Sequence, residues 1–289
     1  MLKQLYKHEF KALLRWLLFV WIGVIALSII NRCSTALFDW YIEKNTALDF
    51  QSPMEVSRIK NLMISLSASM TVLYAMGAIA GMLISVGLVV VRFYKNLFTK
   101  EGYFTFSIPV KPIQHIWCKL ICGMVMIFAS SIVVGVSVLI NLAFTDVGSQ
   151  LWQAVISIFS QIEWYDKVHA IFWILECVVL VILSISAVLL QFYCSISFGQ
   201  SFKNKIGGSV ISYIIINILL NTISSFFSFF FSIGSLFFGG FGGLDLLAGV
   251  DVVWVLHGIF LIAILIQGLI CAGFFAITAY RTTKKLNLE

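Results

Sequence analysis

Charge is what this sequence has least of. Only 11% of its 289 residues are charged, against about 25% in ordinary soluble domains. No window is polar and long enough to build a soluble domain, which excludes a water-soluble enzyme or binding module. Proline is also scarce. Two of the three prolines, Pro109 and Pro112, stand close together, where they stop one helix and can start another. The six cysteines make no disulfide framework. Cys118, Cys122, Cys177, Cys194 and Cys271 fall in or at the ends of apolar spans, and Cys33 alone is placed outside, where a single thiol cannot pair within the chain. Cys118 and Cys122 share a helical face, but no histidine or further cysteine follows at metal-ligand spacing, so they read as small hydrophobes.

Catalytic motifs are missing too. His8-Glu9 opens like a zinc-protease HExxH, but Ala12 stands where the second ligand belongs. Tyr165-Asp166 and Gly243-Leu244-Asp245 only faintly resemble an intramembrane aspartyl-protease pair, and both fall in outer loops. Gly208-Ser209 has no histidine at a matching depth. No GxxxxGK[ST] loop occurs, so the chain does not bind ATP in that way. The reading is no catalytic residue, no metal and no cofactor on this chain.

What is present is apolar: 61% of the residues are hydrophobic. Six stretches, roughly 13–30, 62–91, 120–144, 170–195, 206–231 and 252–280, are each near or above the ~20 residues that cross a ~30 Å hydrocarbon core. The expected fold is all-α, a single polytopic domain over 1–289 with six transmembrane helices. With the N-terminus inside, fourteen of the nineteen basic residues lie on the cytoplasmic side. Both termini are then cytoplasmic. Because the charges cluster at span ends, the net charge of +6 reflects topology and not nucleic-acid binding. Residues 1–12 set Leu2, Leu5, Tyr6 and Phe10 on one side and Lys3, Lys7 and Lys11 on another, which predicts an interfacial amphipathic helix. Outside, residues 31–61 have room for a short helix or two, and Trp152, Trp164 and Tyr165 mark an interface. The glycine-rich run 232–251 predicts a re-entrant or interfacial hairpin.

A few polar residues lie within the spans, where each is costly to bury. Counting from the outer ends of spans four and six puts Glu176 and His257 at one depth, which makes them expected partners. Asn217 and Asn221 share a face of span five. Gln191 and Gln267 complete the set. These residues line a translocation path or its gate, or they join helices by hydrogen bonds; the residues alone leave both open.

The longest basic interruption is 92–119, RFYKNLFTKEGYFTFSIPVKPIQHIWCKL through Leu120, with five basic residues and one acid. Its run from Phe93-Tyr94-Lys95-Asn96-Leu97-Phe98 into Glu101-Gly102-Tyr103, Thr105-Phe106-Ser107-Ile108-Pro109-Val110, Gln114 and Lys119-Leu120 resembles the segment between the second and third spans of ABC-2-type transporter permeases. Leu5-Tyr6-Lys7-His8-Glu9-Phe10-Lys11 is similar to the N-terminus of that family. So is Phe192-Tyr193 through Ser195, Ser197, Gly199-Gln200 and Phe202 to a later stretch. The resemblance follows the six-span plan, with motifs over about a fifth of the chain.

The resemblance implies a permease in a bacterial plasma membrane, working as a homo- or heterodimer of permease protomers with separate ATP-binding subunits that hold ATP and Mg. It places the ATPase-coupling surface at Glu101, Gly102, Tyr103, Thr105, Phe106, Pro109, Lys111, Pro112 and Gln114, with a coupling helix around Pro109 to Gln114. Tyr103, Phe104 and Phe106 would fill a groove on the ATPase or anchor to the membrane surface. The rival readings are a membrane scaffold or sensor and a secondary transporter without ATP coupling. Internal repeats that would mark the latter are not evident.

Overall fold

Nothing between Val24 and Ser52 breaks a helix: there is neither glycine nor proline there. In the computed structural model, which describes residues 2–46, 53–107, 112–143, 145–161, 164–240 and 252–284, the first helix uses that freedom. α1 runs from Leu2 to Thr46 without interruption. Residues 2–12 are therefore its first three turns and not a helix of their own. The polar stretch after residue 30 continues the same helix. The outer loop expected over 31–61 is largely consumed from both sides, because α2 (Pro53–Phe98) opens on a proline suited to a first helical turn.

After α2 come a short α3 (Glu101–Ser107) and α4 (Pro112–Leu142), the latter again starting on proline. The next helices are α5 (Asp146–Gln161), α6 (Trp164–Gly199), α7 (Lys205–Gly240) and α8 (Val252–Lys284). The caps have local causes. Thr145 Oγ1 accepts from the Gly148 N–H at 3.2 Å ahead of α5, and Asn204 Oδ1 accepts from the Gly207 N–H at 3.2 Å ahead of α7. Residues 232–240 of the expected hairpin lie in α7; its remainder, 241–251, falls outside the described residues.

Among the described residues there is no strand, and six helices are long and apolar enough to cross a membrane. They cover Lys3–Lys44, Lys60–Phe98, Pro112–Leu142, Val168–Gly199, Lys205–Phe226 and His257–Lys284. Large apolar side chains such as Phe19, Leu73 and Leu269 point away from the protein. In water such a surface would aggregate; against lipid it is the stable arrangement. The chain is a multi-pass, all-helical membrane protein.

The chain forms two compact units. The first gathers residues 3–89 and 125–161, the second residues 90–124 and 162–289. In the first, α1 and the later part of α4 run in the same direction and are joined by neutral polar side chains. Trp21 Nε1–H donates to Ser130 Oγ at 2.9 Å, and the Ser28 hydroxyl donates to the Ser137 carbonyl at 2.9 Å. Asn31 Nδ2 donates to Asn141 Oδ1 at 2.7 Å. The α4 partners fall seven and then four residues apart, which is the spacing of one face of a packed helix. From α2, Tyr74 reaches the Ser137 hydroxyl at 2.7 Å. α2 approaches α1 closely at Gly81, where an added Cβ would sit 2.5 Å from Val24 Cγ2.

In the second unit α6 packs against both α7 and α8. Phe192 on α6 stacks on Tyr213 of α7, ring centroids 4.5 Å apart, so those two helices run antiparallel through a tight turn. The turn is tight enough to exclude a side chain at Gly199: a Cβ there would lie 2.5 Å from the backbone nitrogen of Ser209.

Candidate functional site

The basic segment is built on a dense aliphatic and aromatic block. Phe93, Leu97 and Phe98 at the end of α2 are fully buried, as are Ile116 and Cys118 on α4. Phe93 lies flat on Tyr193 of α6, with centroids 3.7 Å apart and planes within 8°. Tyr193 is itself completely buried, and its hydroxyl donates to the Lys119 carbonyl at 3.4 Å. A ring of that size buried among three helices fixes their mutual positions, because interiors are close-packed and yield little.

From this block α3 projects its polar side. Glu101, Tyr103 and Ser107 are exposed, Tyr103 by 54%, while Gly102 is buried. Glu101 sits in the first turn, where its carboxylate complements the helix dipole. Thr105 and Phe106 belong to α3 by backbone; Pro109 and Lys111 lie outside the described residues. Pro112 and Gln114, both half-buried, form the first turn of α4. The short helix of this region is thus Glu101–Ser107. The part of the expected Pro109–Gln114 helix that is described belongs instead to the start of a long spanning helix. Lys119, which belongs to the motif, and His115, which does not, are buried at 7% and 1% exposure.

The second candidate set lies between α6 and α8. The structure brings Glu176 and His257 together, Oε1 to Nδ1 at 2.8 Å, both buried. Sequence reasoning missed a third member. His169, also buried, places Nδ1 3.1 Å from His257 Nε2. The signal was available: His169 precedes Glu176 by seven residues, two turns along one face. Aromatic rings border the group. Trp173 and Trp254 lie 5.6 and 6.0 Å from the His257 ring centroid, and Trp254 meets His169 edge-on at 5.4 Å. Glu176 Oε2 is buried with no hydrogen-bond partner.

Farther along the same two helices, Cys271 Sγ lies 3.3 Å from the Ser186 hydroxyl. Arg281 donates to Ser201 Oγ at 2.7 Å and lies over the Phe198 ring. α6 and α8 therefore run parallel, joined at three levels. The other intramembrane polar residues are not drawn into this cluster. Asn217 is half-buried and Asn221 exposed on α7, and Ser224 and Ser228 continue that face toward its end, exposed as well. Gln191 and Gln267 are half-buried, with Gln191 Nε2 buried and unpartnered. Among the described residues no group of His, Cys, Asp and Glu has the arrangement of a metal site.

No family model, no curated protein and no solved structure matches this chain. Two surfaces stand out: a short exposed helix rooted in a rigid block, and a buried ionisable cluster that holds two spanning helices together.

Proposed function

We propose that this chain is the membrane-spanning permease subunit of an ABC-2-type transporter, an exporter of a bacterial plasma membrane with both termini in the cytoplasm. Separate ATP-binding subunits dock on residues 92–119, and a second permease protomer completes the assembly. The observation that carries this reading is α3. A seven-residue helix bearing exposed Glu101 and Tyr103 stands at the junction of two long spanning helices. Its base is locked through Phe93 and Tyr193 to a third. A push on α3 acts where α2 ends and α4 begins, and Tyr193 ties those two helices to α6. That is the mechanical requirement for turning ATP-driven closure into movement of spans.

The polar stripe Asn217, Asn221, Ser224 and Ser228 supports the partner protomer. Polar side chains facing hydrocarbon are costly, so this face calls for cover by protein or by a water-filled path between protomers. Substrate then passes beside Asn217 and Asn221, while Glu176 and His257 sit at the outer gate.

The test is co-purification with an ATP-binding subunit, followed by ATPase assay of Tyr103→Ala and Lys111→Glu. The expected outcome is loss of association, or of transport-coupled ATPase activity, with the spanning helices still folded. Full association and activity in both variants, or no associating ATPase at all, refutes the assignment.

A further inference from the structure

Among the eight helices, α5 (Asp146–Gln161) divides most sharply into an apolar and a polar half. At 16 residues it is about 24 Å long, too short to cross ~30 Å of hydrocarbon. Stepped at about 100° per residue, Val147, Leu151, Trp152, Val155 and Ile156 occupy one half of its circumference. Ser149, Gln150, Gln153 and Ser157 fall in the other half. The apolar half is uncovered, its five side chains exposed by between 42% and 66%. In water that face is a costly apolar patch, and deep in lipid the glutamines are costly. A boundary between lipid and water suits both halves.

That boundary is where the chain puts the helix. The Thr145 hydroxyl donates to the Leu142 carbonyl at 2.9 Å and accepts from the Gly148 N–H at 3.2 Å. The Ser149 N–H donates to the Thr145 carbonyl at 3.0 Å, so α5 is stitched directly to the end of a spanning helix. The lipid-facing surface does not stop at that end. Leu139 in the last turn of α4 is exposed by 64%, and Val147 resumes an exposed apolar face in the first turn of α5. Charge narrows the choice of surface. The helix has one aspartate, at its first position, and no lysine or arginine with which to attract anionic headgroups.

We propose that α5 binds the membrane surface at this end of α4, lying along a layer of uncharged lipid headgroups. Val147, Leu151, Val155 and Ile156 enter the acyl boundary, and Ser149, Gln150, Gln153 and Ser157 face water. Trp152 sits at the headgroup level that tryptophan favours. Under the topology proposed above the surface is that of the outer leaflet. The lipid contact itself does not depend on ATP coupling, so either reading can fail while the other stands.

The test uses the full chain in nanodiscs of phosphatidylcholine. Cys33→Ser and Cys177→Ser remove the exposed native thiols. Gln150→Cys, Leu151→Cys, Gln153→Cys and Val155→Cys are then made one at a time, each at an exposed position, and given a nitroxide label. Collision of the label with oxygen, which concentrates in lipid, is compared with collision with a nickel chelate, which stays in water. The expected oxygen-to-chelate ratio follows the helical repeat, high at Leu151 and Val155 and low at Gln150 and Gln153. Adding phosphatidylglycerol should leave that pattern unchanged. Free collision with the chelate at all four positions puts α5 in water and overturns the proposal. Shielding of Leu151 and Val155 from both reagents puts a second copy of the chain on that face and overturns it as well. So does a pattern that arises only with phosphatidylglycerol.

Discussion

Two parallel helix pairs, one in each unit, solve the same problem with different chemistry. α1 and α4 are joined by tryptophan, serine and asparagine, all neutral at every pH the protein meets. α6 and α8 are joined at one end by two histidines and a carboxylate, in the middle by Ser186 and Cys271, and at the other end by Arg281. The first seam has a single state and serves as glue. The second sets ionisable groups at one end, where two histidines and a carboxylate meet, and an arginine at the other. Within a membrane, ionisable contacts are the expensive choice, and a neutral ladder like that of α1 and α4 would have sufficed for packing alone.

The sharpest way to break the comparison is to remove one partner from the ionisable end. His257→Ala leaves Glu176 buried without its ring and is expected to cost about 3–5 kcal/mol, read as loss of thermal stability in lipid nanodiscs. A cost no greater than that of a neutral ladder residue would erase the distinction between the seams. Next in size is Gly199→Ala, where the new methyl meets the Ser209 backbone and the α6–α7 turn must open. Overpacking of this kind costs about 1–3 kcal/mol, and the same assay should show it exceeding Gly81→Ala, whose clash is with a side chain.

Asn141→Ala removes an acceptor for Asn31 and donors to Ser28 and the Ser137 carbonyl. With membrane hydrogen bonds averaging about 0.6 kcal/mol each, the expected loss is about 1–2 kcal/mol, unchanged by pH. A clear pH dependence in this variant would mean that the neutral seam is not insulated from the ionisable one. Ser186→Ala, which loses a contact to the Cys271 thiol and the hydroxyl's own bond to the Leu183 carbonyl, should cost about 1 kcal/mol or less. A larger loss would move the fulcrum of the second seam to its middle.

Much of this was legible in the sequence where the physics is one-dimensional. Six apolar runs give six helices, and counting residues inward from the span ends pairs Glu176 with His257. Helix ends were less legible. Hydropathy marks where a chain leaves lipid and not where it stops being helical, so the polar continuation to Thr46 looked like loop although nothing in it terminates a helix. The segment around Pro109 misled for a related reason. A proline announces a boundary but does not say on which side the short helix lies, and it lies earlier, at Glu101–Ser107. The α1–α4 ladder could not be anticipated, because a serine in an apolar helix can bond its own preceding turn, as Ser130 also does with the Met126 carbonyl. His169 was the avoidable omission, since its seven-residue offset from Glu176 needed only the helical repeat.

α1 and α2 extend well beyond the bilayer. At 45 and 46 residues they are each about 67–69 Å long, roughly twice the ~30 Å of hydrocarbon they cross. A rod of that length is a lever with the bilayer as its pivot. A tilt of about 10° around its middle sweeps each tip through about 6 Å, while the lipid-embedded centre hardly moves. A displacement at one membrane face is thereby delivered as an equal and opposite displacement at the other.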